Sequence, residues 1–272
     1  MAGESKLTRR NDTETKNEKG SWDELWRSRK RLYVYRNVLE AAESFLGGVA
    51  GRSVLEVGCG RGATLLELAR RGANVVGLDY SEEALVVCKR LESRDGIAGR
   101  ATFVNGDARK LPFPAESFDF VFSVGLVEHF EDPAAILAEQ SRVLRPGGYL
   151  LVQVPQKYSV YTPLKKVLIR LGKWPYGGWE TEFSAREISA LVDEAGLEPQ
   201  YVYGYGSFLL AAVRHAFLPT LDFGMMWRNG KELDVIRAVK AKTSLDICVV
   251  ARKSSGRADA GASSTVSAGE EH

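Results

Sequence analysis

A short apolar strand that runs into a glycine-rich turn, and from there into an amphipathic helix, limits what this chain can fold into more than any other feature. The stretch reads Val54-Leu55-Glu56-Val57-Gly58-Cys59-Gly60-Arg61-Gly62, and residues 63–71 continue it with helical periodicity. The motif then repeats in outline. Residues 74–78 have the pattern of a strand and 81–93 that of a helix capped by Ser81. Strands over 101–105 and 118–123 follow, then a helix over 133–144 with Pro133 in its first turn. A fifth strand over 149–154 comes after the turn Pro146-Gly147-Gly148. Short strands alternating with helices predict an α/β fold, a mostly parallel sheet covered by helices on both faces. In such sheets a ligand sits at the carboxyl ends of the strands.

The rest of the chain is read around that core. Residues 1–20 and 254–272 are polar tails that cannot bury enough apolar surface to order themselves. Between Trp22 and Phe45 the apolar residues recur at helical spacing, giving one or two leading helices. Past residue 155 an irregular insertion (156–183) precedes a helix over 184–195 and a strand over 201–205. A second insertion (207–243) precedes a last strand over 246–251. We read one domain over 21–253, with its core at 50–155 and two lid insertions.

Composition removes several classes. A formal net charge of +2 among 272 residues gives no nucleic-acid-binding surface. Cys59, Cys88 and Cys248 are far apart without a CxxC pair, which predicts reduced thiols, no metal site and a cytoplasmic protein. The most apolar stretch, 207–227, is interrupted by Arg214, His215, Pro219 and Asp222, so no transmembrane span is expected.

The glycine turn alone also satisfies a dinucleotide fingerprint, through Gly58, Gly60 and Ala63. Charge separates the two ligands. Glu56 stands two residues before Gly58, where a carboxylate would repel a pyrophosphate. S-adenosylmethionine has no phosphate and carries a sulfonium and an ammonium, which an acid attracts. Asp79 ends the second strand about 20 residues beyond the first glycine, the place of an acid that binds ribose hydroxyls. Asp107, in Gly106-Asp107-Ala108, ends the third strand and can accept from an adenine amino group.

Taken together, 54–62, 76–80, 106–113 (GDARKLPF), 117–123 (SFDFVFS) and 144–154 (LRPGGYLLVQV) resemble the class I S-adenosylmethionine-dependent methyltransferases. The likeness is to the small-molecule branch with the ubiquinone and menaquinone biosynthesis enzymes, the methyltransferase type 11 domain. It is strong over 53–155 and weaker beyond. The resemblance implies a Rossmann-like seven-stranded sheet whose last strand is antiparallel. It implies that Gly58, Cys59, Gly60 and Gly62 wrap the methionine part of the cofactor and that Asp79 holds the ribose. Asp107 and Ala108 would hold the adenine, with Tyr80 stacked near it. Ser123 and Val124 would lie beside the reactive methyl. A leading helix with Trp22, Trp26 and Tyr33 looks like a lid, or simply packs on the sheet edge.

Methyl transfer to oxygen or carbon calls for removal of a proton, and His129, just past the fourth strand, is the candidate base. The acceptor expected is a small, partly apolar molecule. Tyr158, Tyr161, Trp174, Tyr176 and Trp179 in the first insertion would roof such a molecule or pack the insertion down. Phe208 to Trp227 in the second would line a pocket, touch a membrane peripherally or meet a second subunit in a homodimer. The basic helix with Lys165, Lys166, Arg170 and Lys173 suits an anionic lipid surface or a solvated face. Three other readings stand beside this one, an NAD-dependent oxidoreductase, a non-catalytic cofactor-binding regulator and, least favoured, a methyltransferase of DNA, RNA or protein.

Overall fold

The computed structural model describes residues 19–28, 32–97, 99–159, 161–171, 180–207 and 244–255. Two leading helices, α1 (Lys19–Ser28) and α2 (Arg36–Leu46), precede β1 (Ser53–Val57). Then come α3 (Ala63–Arg70), β2 (Asn74–Asp79), α4 (Glu82–Asp95), β3 (Ala101–Asn105), β4 (Phe118–Val124), α5 (Pro133–Val143) and β5 (Leu144–Pro155). The last are α6 (Tyr161–Arg170), α7 (Ala185–Glu194), β6 (Leu197–Ser207) and β7 (Ser244–Lys253). The strands form one seven-stranded sheet in the order β3-β2-β1-β4-β5-β7-β6. Strands β1 to β5 pair in parallel, and β7 lies antiparallel between β5 and β6. This is the expected architecture, down to the reversed last strand.

Period-two alternation sorts the strand residues between two apolar layers. Leu55 and Val57 of β1, Val121 of β4 and Leu150, Val152 and Val154 of β5 pack under α5 and α7, against Ile136, Leu137, Ile188 and Val192. Val54, Phe120, Phe122 and Leu151 point the other way, onto α2, α3 and α4. Phe120 and Phe122 are fully buried, and each such side chain contributes roughly 1.5–3 kcal/mol on burial. Helix starts follow their capping residues. Ser81 accepts from the Ala84 N–H ahead of α4, Asp132 from the Ala135 N–H ahead of α5, and Ser184 with Glu187 closes a reciprocal capping box on α7.

Three boundaries depart from the sequence reading. β5 starts at Leu144, because Leu144 already pairs with Phe118 and Arg145–Gly148 form an irregularity within the strand, not a turn before it. Gly148 is needed there, since a Cβ would come within 2.9 Å of the Asp119 carbonyl oxygen. β6 runs through Pro199 to Leu197; as the edge strand it loses little from a missing N–H. α1 begins at Lys19, inside the stretch read as a tail. Trp174, Tyr176 and Trp179, Lys173, almost all of the second insertion and most of both tails lie outside the described residues.

Candidate active site

The glycine turn joins the end of β1 to α3 and is tied to the end of β2. The N–H groups of Gly58 and Cys59 donate to the Leu78 carbonyl at 2.8 and 3.0 Å. Asp79 then takes two more backbone donors. Its Oδ2 accepts from the Gly60 N–H at 2.7 Å and its Oδ1 from the Ser81 N–H at 2.8 Å. Asn105, at the end of β3, donates to the carbonyls of Asp79 and Tyr80. Three strand ends are thereby locked edge to edge.

Gly58, Gly60 and Gly62 all have left-handed φ values, 75°, 50° and 67°, which L-residues with a Cβ adopt at a cost. Their surroundings differ. A Cβ on Gly58 would meet Leu126 at 2.8 Å, on Gly60 the Trp26 ring at 2.6 Å, and on Gly62 the Cys88 sulfur at 2.9 Å. Gly58 and Gly60 thus face loop and lid, while Gly62 is required by packing on α4. Cys59 is buried as well, and its thiol is pushed up by a hydrogen bond with Cys88 and by burial. It is an inert packing thiol.

Above this floor lies a cleft of about 890 Å³. Gly58, Asp79, Tyr80, Asp107 and Ala108 border it together, as does His129. Asp79 is 7% exposed, and burial raises its carboxyl despite the backbone donors. Asp107 is more open and is clamped by Arg109, whose Nε and Nη2 reach its Oδ2 at 2.9 and 2.6 Å. That guanidinium holds the Asp107 carboxyl below its ordinary range. Glu56 is different. It is buried and does not line the cleft, burial pushes its carboxyl well up, and among the described residues its Oε2 meets no hydrogen-bond partner.

Ser123 and Val124 do not border the cleft. Ser123 is 1% exposed and donates to Gln140 Oε1 at 3.2 Å, and Val124 packs toward the α2–α4 layer. Gly125 and Leu126 border it instead. Alternation along β4 turns both earlier side chains into the helical layers, and the chain reaches the cleft only as it leaves the strand. His129 ends a short helical turn, Val127–His129, and the Trp22 ring stands edge-on to it, centroids 4.9 Å apart. Phe130, Glu131, Asp132 and Ala135 complete that wall. They went unremarked in the sequence, although Phe130 lies four residues past Leu126 in one loop.

Helix α1 packs on α4 beside the cleft. Trp22 and Trp26 both border the cleft, the Ser81 hydroxyl donates to Asp23, and Arg27 pairs with Glu83 at 2.9 Å. Helix α1 is therefore clasped to the start of α4, while Tyr33 lies beyond the helix and is exposed.

Residues 55–152 match the family profile described as a methyltransferase domain. Over that stretch the chain is similar to a methyltransferase domain. The chain is 41% identical over 131 residues to a fatty-acid O-methyltransferase of Mycolicibacterium smegmatis, covering 47% of this chain and 44% of that protein. It is 39% identical over 145 residues to a demethylmenaquinone methyltransferase of Tropheryma whipplei, covering 49% and 56%. The chain spans about half the length of the curated relatives it matches. Among solved structures, an S-adenosylmethionine-dependent methyltransferase from Mesorhizobium loti superposes with a TM-score of 0.56 at 19% identity, over 79% of this chain and 96% of that one. The [4+2]-cyclase SpnF does so equally, with a TM-score of 0.56 at 21% identity over 81% and 82%. The fold of this methyltransferase domain is thus shared with a protein named for another chemistry, and function has to be argued from the cleft.

Among the described residues no helix is long and apolar enough to cross a membrane, and no group of His, Cys, Asp or Glu is arranged to hold a metal.

Proposed function

We propose that the protein is an S-adenosylmethionine-dependent methyltransferase acting on a small, partly apolar molecule. The observation that carries this reading is one cleft with two unlike ends. Asp79 ends β2 and Asp107 follows β3, on one side of β1, and the two suit the hydroxyls and amine of a nucleoside; Leu126, His129 and Phe130 follow β4 on the other side, with Trp22 against His129. The fit to this cofactor is also chemical. A buried carboxyl oxygen of Glu56 without a partner is costly, and an ammonium group is the ligand feature that would offset it. An acid this close to the turn would also repel a pyrophosphate, which argues against NAD.

When bound, the cofactor supplies an activated methyl group. Asp79 would hold the ribose hydroxyls with the lone pairs left after its two backbone bonds, and Asp107 would accept from the adenine amine in an orientation set by Arg109. Trp22 and Trp26 would exclude water from the transfer, and the protein's remaining task is to bring the acceptor within reach of the carbon. His129 is placed to take the acceptor's proton at a ring nitrogen, with Trp22 limiting the ring's rotation. The relatives' names point to fatty acids and quinones; we carry over only the shared chemistry, a polar nucleophile on an apolar body. Such a molecule dwells in or beside a bilayer, which gives the protein reason for peripheral membrane contact.

The test is transfer of a labelled methyl group to a panel of fatty acids, hydroxyquinones and water-soluble amines. Labelling of the first two groups alone is expected. Labelling confined to the amines would overturn the acceptor class, and no cofactor binding would overturn the reading as a whole.

A further inference from the structure

Outside the cleft, the feature that the proposed function does not absorb is the outer face of α6. From Gln156 to Trp179 the sequence contains Lys157, Lys165, Lys166, Arg170 and Lys173 and no acidic residue, in a chain where acids and bases are otherwise nearly balanced. A solvated helix face ordinarily mixes both signs. Among the side chains described on this helix and its end, Pro163, Lys166, Val167, Arg170 and Leu171 are exposed. Their spacing of three and four places them on one face. Two of them are large aliphatic side chains left in water, Val167 at 53% exposure and Leu171 at 61%. An apolar row (Pro163, Val167, Leu171) thus runs beside a cationic row (Lys166, Arg170).

That face is connected to the cleft. The Thr162 hydroxyl donates to the Gln156 carbonyl at 2.8 Å, anchoring the helix to the end of β5. Lys166 pairs with Glu182 at 3.6 Å, and the neighbouring Thr181 N–H donates to the carbonyl of Glu128 at 2.9 Å. Glu128 precedes His129 in the cleft wall.

We infer that the outer face of α6 docks the protein on an anionic lipid bilayer. Aliphatic residues beside cations of a single sign match the boundary between acyl chains and anionic headgroups, the first burying in the former and the second pairing with the latter. Neither a neutral bilayer nor plain water uses both rows. Docking there sets the cleft wall next to the phase in which an apolar acceptor dissolves. The inference rests on the proposed function only for that last advantage.

The test is co-sedimentation of the full chain with vesicles of phosphatidylcholine, alone or mixed with phosphatidylglycerol, beside calorimetric titration with S-adenosylhomocysteine. Sedimentation with the anionic vesicles, its release by added salt, and little sedimentation with the neutral ones are expected. K166E/R170E should lower partition about tenfold or more, and V167S/L171S should lower it too, with homocysteine-analogue binding unchanged in both. K166Q/R170Q serves if the charge reversal impairs folding. Equal sedimentation with both vesicle types, none with either, or indifference to all variants would overturn the inference. So would a doubled mass in light scattering that V167S/L171S abolishes, since the face would then belong to a second copy. Vesicle binding without any binding of S-adenosylhomocysteine would sustain the docking face while the proposed function fails.

Discussion

The two ends of the cleft are built by different means. At the Asp79 end, side chains and backbone come from consecutive strand ends, and each acid is held by bonds to its near neighbours: Asp79 by Gly60 and Ser81, Asp107 by Arg109. At the His129 end the wall is assembled from the loop after β4 and from a helix about a hundred residues earlier, with Trp22 against the imidazole. The first end is a property of the sheet and stays in place as long as the sheet does. The second depends on how α1 is clasped through Asp23 and Arg27. One end is suited to a ligand that never changes, the other to an acceptor that must enter and leave.

That difference is open to attack from both sides. The largest effect is expected at the variable end: His129→Ala should lower turnover by about 10²- to 10⁴-fold while titration with S-adenosylhomocysteine stays as in the wild type. Full activity would remove His129 from the chemistry. At the fixed end, Gly60→Val puts branched carbon where the Trp26 ring lies 2.6 Å from a Cβ, at a φ of 50°. Strain and overpacking of roughly 2–4 kcal/mol should abolish measurable binding of S-adenosylhomocysteine, and Trp26→Ala should restore part of it. Unchanged affinity in Gly60→Val alone would show that the lid does not rest on the turn. Asp79→Ala, which strips two backbone donors of their acceptor, should weaken that binding by about 1–3 kcal/mol and leave acceptor affinity alone.

The smallest expected effect concerns Glu56. Its native carboxyl is raised above the usual 4.5 by burial, then by Cys88 and Asp79. A raised acid stabilises the fold fully below its unfolded pKa, and that contribution is lost as the pH climbs from about 4.5 through the native value. Glu56→Gln should therefore gain thermal stability relative to wild type with rising pH, while losing affinity for an ammonium-bearing ligand. Melting curves that keep the same spacing as the pH rises from about 4.5 would contradict the assignment.

Legibility follows the same division. That Gly58, Asp79, Tyr80, Asp107 and Ala108 come together at one cleft was legible because each stands at or just past a strand end, and strand ends are written in local alternation and turn residues. Ser123 and Val124 do not border the cleft while Gly125 and Leu126 do, because periodicity locates β4 but does not say at which residue the chain turns into the cleft. Gly125, flexible and directly after the strand, was the available signal. The pairing of Trp22 with His129 had no local signature, since it depends on how α1 docks on the start of α4. The lone carboxyl of Glu56 was visible as a charge; its burial was not. Most of the second insertion lies outside the described residues, so the uses read for it stand as expectations.

The most direct test of the central claim, that this cleft is built for an adenosyl sulfonium cofactor and not for a dinucleotide, is calorimetric titration of the full chain with S-adenosylhomocysteine and, separately, with NAD. Micromolar binding of the first and no heat from the second is the predicted result. Binding of NAD alone, or of neither by a folded protein, would contradict it.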